Sequence, residues 1–477
     1  MPSLGQKLNR SHIERDRRRQ VESIIRGQSL WHETDNQLSN PENRGEISRK
    51  ILFSGRLVKR RGNHRGHKKE DTKNMSEQEV TNQLSKTSLN EQEATEGEAG
   101  AEVNRDNREG LMKYLTKVLG ADITAITLPV SVCEPTSFLM RLAEAVQYHD
   151  LLDKAAEAED SSERLLWITV FALSIFVSNE RAAKPFNPIL GETYEFSQPS
   201  NKNYRFFAEQ VSHHPPIGAC IAENDEWKFW SSQCLKTKFT GNSLECNGTG
   251  FSNVLIKKTG EVFQWEPVKT VVHNLIIGKL WVDNFGDLSV INKNTGEKAN
   301  INLKQCGWFS KGWRELEGDV LAKDGSVNFR VTGKWTESIF AEDKKGGKKK
   351  FQFYKNATDP LWVPTNKPLP PNKVPSIYAR DFTDYTIELI QYDSTMTHLP
   401  PTDSRLRPDR LALEKGDTTV AGREKHNLEE KQREARRKRE REGVTYVPKY
   451  FQTVKENGQD SWEYVGKYWE EREARKQ

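Results

Sequence analysis

The residues with the richest chemistry stand in one stretch, Glu209-Gln210-Val211-Ser212-His213-His214-Pro215-Pro216. Imidazoles with an ordinary pKa of about 6.5 donate or accept protons near neutrality, so such a pair can hold a phosphate, ligate a metal or work as acid and base. Two prolines follow the rings; they fix their own φ angles and bias His214 toward extended backbone, which predicts presentation from a strand end or a loop. A His-His pair can also do no more than satisfy backbone groups, so the pair alone does not choose among these roles. A second candidate cluster is Lys425, Glu429 and Arg433, spaced by four within a strongly charged stretch from about Arg423 to Glu442. On a helix that spacing puts all three along one face, although ordinary i,i+4 ion pairs worth about 0.3–0.5 kcal/mol account for most such charges. Lys184 is the third candidate: in Lys184-Pro185-Phe186-Asn187-Pro188 the prolines end a helical region and set the lysine at the mouth of a turn.

The alternatives with a motif of their own find none. HExxH, the P-loop, the GxSxG elbow and a Cys-x5-Arg phosphatase loop are all absent from the sequence, and no His, Cys or carboxylate at local metal-ligand spacing accompanies His213 and His214. Neither an enzyme nor a metal site is expected.

The stretch EQVSHHPP, preceded by Lys184-Pro185-Phe186-Asn187-Pro188-Ile189-Leu190-Gly191-Glu192-Thr193, closely resembles the signature of the oxysterol-binding-protein-related family of lipid-transfer proteins. Leu399-Pro400-Pro401-Thr402-Asp403-Ser404-Arg405-Leu406-Arg407-Pro408-Asp409 is also close to the family pattern, and the resemblance runs from about Leu111 to the C-terminus. It implies a mainly β fold with helices: a large near-closed antiparallel β-barrel enclosing a lipid tunnel, with an N-terminal lid and a C-terminal helical region. It also implies a phosphoinositide headgroup site made by Lys184, Asn187, His213, His214, Lys425, Glu429 and Arg433, the cations and imidazoles converging on phosphates while Glu429 accepts from inositol hydroxyls or orients a lysine. Arginine's planar fork and charge-assisted hydrogen bonds suit a phosphate monoester. By the same resemblance the protein carries one lipid at a time, exchanging a sterol for phosphatidylinositol 4-phosphate between membranes, and its only bound group is that lipid, with no cofactor. A carrier of phosphatidylserine or another phospholipid, and a phosphoinositide-sensing scaffold without net transport, are the alternatives.

The elements that must position these residues follow from pattern. Residues 1–110 are polar, Arg-rich early and Glu/Gln/Ser/Thr/Asn-rich from Asp71, and are expected to be a mostly disordered arm; Lys50 to Arg60 is a short basic strand-like exception. Leu111, Leu115, Val118, Leu119 and Ile123 recur at helical spacing. That amphipathic segment, about 111–126, is the family's lid by position. Helices are expected over about 135–180, the first from Glu134 through Val146 and the second from Arg164 to Asn179. Short β-type runs separated by glycine-containing turns then extend from Gly191 to about Phe340, the barrel being placed at about 190–395 and the C-terminal helical region at about 400–477.

Composition narrows the setting. Over 477 residues the apolar share is 35%, and 73 Lys and Arg against 68 Asp and Glu give a net charge of +5. With a mean hydropathy of −0.81, a sizeable polar fraction must lie outside any core. So small an excess makes no case for nucleic acid, whereas local basic runs suit anionic leaflets at about 1 kcal/mol per cation. Five scattered cysteines without a CxxC read as reduced thiols, the N-terminus shows no apolar signal core, and the run Leu165 to Val177 falls short of a bilayer span. The expectation is a cytoplasmic protein, peripheral on membranes, with membrane lipids as partners. An endoplasmic-reticulum receptor stays open as a further partner, without a clear acidic two-phenylalanine motif to carry it.

Overall fold

The computed structural model describes residues 128–476 except 179, 198–203, 276–279, 308–309, 345–358 and 394. The chain divides into two units, Met1–Gly97 and Glu98–Gln477, and every described residue belongs to the second. The predicted arm and the lid residues Leu111, Leu115, Val118, Leu119 and Ile123 lie outside the described residues.

After a 3-10 turn at Val130–Val132 comes a strand, β1 (Cys133–Ser137), where a helix start was expected. Pro135 biases Glu134 toward extended backbone, and the helix begins only where Ser137 caps it by accepting from the Met140 N–H. Helix α1 (Phe138–Ala143), α2 (Asp150–Glu157) and α3 (Ser161–Ser178) follow. Helix α3 is the only one among the described residues long and apolar enough to cross a membrane, yet 72% of it is buried inside the fold. A helix apolar on all sides needs a core on all sides. The expected turn at Lys184 is instead β2 (Lys184–Phe186), paired in parallel with β1 so that Lys184 stands opposite Cys133.

Thirteen strands then make one sheet: β3 (Thr193–Ser197), β4 (Arg205–His213), β5 (Pro216–Glu223), β6 (Trp227–Phe239), β7 (Ser243–Thr249), β8 (Ser252–Ile256), β9 (Glu261–Trp265), β10 (Lys269–His273), β11 (Trp281–Asn292), β12 (Lys298–Leu303), β13 (Glu315–Leu321), β14 (Val327–Lys334) and β15 (Ser338–Asp343). The order runs β15-β14-β13-β12-β11-β10-β7-β6-β5-β4-β3, with β8 and β9 bridging the other halves of β6 and β11. All of its pairs are antiparallel. One apolar cluster joins Leu139, Leu166 and Phe171 of the helices to Phe206 of β4, Phe229 of β6, Ile301 of β12 and Val331 of β14. The sheet therefore curls around the helices. Its edge strands β3 and β15 do not pair with each other, but each edge is covered: the Thr193 N–H donates to the Thr402 carbonyl at 2.9 Å, and the Ile339 N–H to the Trp362 carbonyl at 2.9 Å.

Among the described residues the sheet ends with β15 at Asp343, within the expected barrel limits of about 190–395. Beyond it, prolines in residues 364–375 prevent ladder formation, and the chain passes through single turns to α4 (Asp384–Ile390), α5 (Pro408–Glu414) and the charged α6 (Thr418–Glu442), which starts five residues before Arg423 because Asp417 caps it. The C-terminal region is not all helical. After α6 comes a hairpin, β16 (Phe451–Glu456) and β17 (Gln459–Tyr464), turned on Asn457 and Gly458, both at positive φ, and then α7 (Tyr468–Arg475). This hairpin and helix cover the outer face of β4 and β5, where Phe207, Val211, Ala219 and Ile221 pack with Tyr450, Phe451 and Tyr468.

Candidate functional site

Strand β4 is buried on both faces, and its motif residues divide accordingly. Glu209 points outward, is 1% exposed, and accepts from the Lys449 and Tyr450 N–H groups at 2.9 Å each and from the Tyr446 hydroxyl at 3.2 Å. Burial nonetheless holds its carboxyl above the ordinary range. Glu192 is the counterpart in the preceding motif: Arg407 Nη1 donates to it at 2.6 Å, Ser404 at 2.6 Å and the Ile189 N–H at 3.0 Å. Arg407 also forks onto Asp409 and reaches the Asn187 carbonyl at 3.1 Å. These carboxylates are braces that fix residues 187–192 and the C-terminal segment against the strand.

The imidazoles stand where that bracing ends. His213 is the last residue of β4, and the cis His214–Pro215 bond lies in the turn to β5. The two rings meet edge to face, with centroids 4.8 Å apart, and His214 is exposed. His213 is half-buried, and its Nδ1 is buried with no hydrogen-bond partner. Burial, His214 and Arg436 push its pKa down to about 4, against the opposing Pro188 carbonyl and Glu429. In the free protein at neutral pH this ring is uncharged.

Lys184 reaches the same place from β2. Cys133, Phe186, Ala412, Leu413 and Ala421 form a small cluster that packs β1, β2, α5 and the start of α6 together. That packing puts Lys184 in the electrostatic field of Lys425 and Glu429. Burial, reinforced by Lys425, lowers its pKa, and it forms no ion pair among the described residues. On α6, Lys425 Nζ lies 2.7 Å from Glu429 Oε1, and Gln432 Oε1 accepts from the Leu190 N–H at 2.8 Å, tying the helix to the 187–192 loop.

Lys184, His213, Lys425 and Glu429 thus come together, with His214 at the rim. Two expected members sit differently. Arg433 pairs with Glu430 and, at 3.7 Å, with Glu429, and Asn187 exposes its side chain while its carbonyl serves Arg407. Helix geometry explains Arg433: a strict four-residue repeat drifts by about 40° per step, so it lies about 80° from Lys425, whereas Gln432 and Arg436 lie within about 20°. Arg436 is the cation that acts on His213, and the i, i+7, i+11 pattern from Lys425 is the signal that would have found it. Cys133 and Cys246 also flank Lys184, a grouping that no local pattern marks; burial raises both thiols, Cys246 to about 11. Among the described residues no three His, Cys, Asp or Glu side chains gather as a metal site needs.

Chemically, this is a half-buried cluster with more cationic than anionic side chains, an orphaned ring nitrogen and one carboxylate to orient a lysine. It is fit to take a multiply charged oxyanion. The family model for oxysterol-binding protein matches residues 110–473. The chain belongs to the oxysterol-binding protein family. Oxysterol-binding protein-related protein 3B of Arabidopsis thaliana is 36% identical over 412 residues, 83% of this chain and 85% of that relative. Oxysterol-binding protein homolog 2 of Saccharomyces cerevisiae is 38% identical over 393 residues, but these are 78% of this chain and only 30% of the yeast protein. Among solved members of the family, the Osh1 ORD domain in complex with ergosterol superposes with a TM-score of 0.69 at 33% identity, covering 84% of this chain and 98% of that one. The Osh3 ORD of Saccharomyces cerevisiae in complex with PI(4)P gives 0.64 at 30% identity, over 76% and 92%.

Proposed function

We propose that this protein is a lipid carrier that binds either a sterol or phosphatidylinositol 4-phosphate in one interior tunnel and exchanges the two between membranes. The observation that carries the reading is the gathering of three chain segments about Glu429, which acts on both Lys184 and His213 and pairs with Lys425, beside a His213 ring nitrogen that lacks a partner. An inositol phosphate there would hydrogen-bond that nitrogen and neutralise the lysines. The sterol and PI(4)P complexes of the two solved relatives support each half of the exchange.

The mechanism follows from solvation. A lipid tail leaving a bilayer through water costs about 0.8 kcal/mol per exposed CH₂, so an apolar interior that receives it lowers the desorption barrier. The headgroup of the phosphoinositide would stay at the cationic mouth while its chains occupy the space a sterol would otherwise fill. Loading one lipid then displaces the other. In this reading residues 111–126 close the interior as a lid, residues 1–110 are an arm outside the carrier domain, and the protein works in the cytoplasm as a peripheral membrane visitor. It moves its ligand and transforms nothing.

A transfer assay between two liposome populations, with a fluorescent sterol in one and phosphatidylinositol 4-phosphate in the other, tests this directly. Sterol transfer should accelerate when the phosphoinositide is present in the acceptor, and that acceleration should vanish in the His213→Ala/His214→Ala variant. Binding of both lipids at once would overturn single-tunnel exchange. Phosphoinositide binding without any transfer would make the protein a sensor, and transfer of phospholipid with no sterol signal would make it a phospholipid carrier.

A further inference from the structure

The two most exposed large apolar side chains among the described residues stand three positions apart in one loop: Val447 at 78% and Val444 at 56%. The loop follows α6, which Gly443 ends at a φ of 64°. Beside it the last turns of α6 carry Arg437, Lys438, Arg439 and Arg441 against Glu440 and Glu442, and Arg436 already occupies Glu440. Arg437, Lys438 and Arg441 are exposed and form no ion pair among the described residues, while Arg439 lies over the Tyr446 ring at 5.9 Å. Tyr446 pins the loop to the site: its hydroxyl donates to Glu209, and it lies 2.6 Å from the position a Cβ on Gly191 would take, so only glycine, here at φ +79°, permits the contact. Arg436, one position before this patch, is the cation that acts on His213.

Exposed valines do not pay for themselves in a surface that faces only water, and unpaired cations around them repel one another. Both features suit a partner that offers negative charge at its surface and apolar volume just beneath. We propose that residues 437–448 are a docking face for an anionic lipid bilayer, the cations meeting headgroups while Val444 and Val447 enter the acyl boundary. This inference rests on the carrier reading, since a carrier must rest on the membrane from which a headgroup is taken, and these cations lie on the outer face of α6, about 120–220° around the helix from Lys425.

The test uses the full chain, phosphatidylcholine vesicles with or without phosphatidylserine, and no phosphoinositide. Hydrogen exchange followed by mass spectrometry should show protection of residues 437–448 on the phosphatidylserine vesicles and none on phosphatidylcholine alone. Arg437→Gln/Lys438→Gln/Arg441→Gln should weaken vesicle binding roughly a hundredfold, at about a fivefold factor per cation. Val444→Ser/Val447→Ser should weaken it about tenfold, with less dependence on salt. Both variants change exposed side chains only, and unchanged unfolding midpoints verify their folds. Binding of water-soluble dioctanoyl phosphatidylinositol 4-phosphate separates the two ideas: the surface variants should keep it, whereas His213→Ala/His214→Ala should lose it and still dock on phosphatidylserine vesicles. No protection in 437–448, or full vesicle affinity in the triple variant, overturns the docking face and leaves the carrier reading standing. Protection by polyglutamate or RNA but not by vesicles likewise overturns it, assigning the patch to a polyanion instead.

Discussion

Two groups of charged residues share the motifs around β4, and they are built in opposite ways. Glu192 and Glu209 are buried carboxylates whose oxygens are occupied by donors from distant segments. Lys184 and His213, a few residues away, are basic groups left without matching acids or with a nitrogen unpaired, and loss of hydration pushes both pKa values down. A satisfied buried charge holds a fold together, and an unsatisfied one waits for a ligand. The same short stretches therefore contain the frame and the site, distinguishable by the state of their hydrogen bonds.

Arg407→Ala is the change that should strike the frame hardest. It leaves Glu192 and Asp409 buried without their counter-ion, and removing one partner of a buried pair costs about 3–5 kcal/mol. The urea midpoint of the variant reads this, and a midpoint close to wild type would end the distinction drawn here. Glu209→Ala orphans two backbone donors and the Tyr446 hydroxyl, at about 1–3 kcal/mol for each buried donor left unmade. Limited proteolysis should then release the C-terminal segment, starting near residues 444–450, before the sheet unfolds.

His213→Ala/His214→Ala should do the reverse. Stability should fall by less than about 1 kcal/mol, because a ring with an unpartnered nitrogen gives up little when removed. Affinity for dioctanoyl phosphatidylinositol 4-phosphate should drop at least a hundredfold, on the order of two charge-assisted hydrogen bonds. A finer contrast lies on α6, where calorimetry should find Arg436→Ala weakening that ligand about tenfold and Arg433→Ala weakening it less, since Arg436 shares the helix face of Lys425 and acts on His213 whereas Arg433 is turned about 80° away onto Glu430. Equal losses would show that the four-residue repeat, rather than the true helical face, marks the site.

What could be read from the sequence follows the same divide. The apolar helix α3 and the β-type runs were legible because burial on one or all faces writes itself into residue type. Strand β1 was missed because Glu134-Pro135-Thr136-Ser137 has the look of a helix start, and only its parallel partner at Lys184–Phe186 makes it a strand. The β16–β17 hairpin did leave a signal, Asn457-Gly458 between alternating runs, which the surrounding charge obscured. At the site, His213, Lys184 and Lys425 could be named from motifs, and the i, i+7, i+11 spacing marks Gln432 and Arg436 as sharing the face of Lys425; that this face meets the 187–192 loop and His213 depends on the rotation of α6 against β4. No local pattern records that rotation.

The smallest effect expected is a proton. Free His213 has a pKa near 4, held there by burial, His214 and Arg436 against the Pro188 carbonyl and Glu429, so at pH 7 it is neutral. A phosphate dianion placed beside it would raise that pKa, and binding at pH 7 should take up as much as one proton. Affinity should then climb as pH falls from 8, until the phosphate itself is protonated near its second pKa of about 6. The free protein carries the opposite dependence. Its unfolded state has an ordinary histidine at about 6.5 and binds more protons than the folded state between there and about 4, so stability should decline as pH falls through that window and level off below it. Calorimetry in two buffers of different ionisation enthalpy measures the uptake, and His213→Asn should abolish both the uptake and this share of the acid destabilisation. If the variant retains the proton uptake while binding the headgroup, another group is titrating, and His213 belongs with the frame rather than with the site.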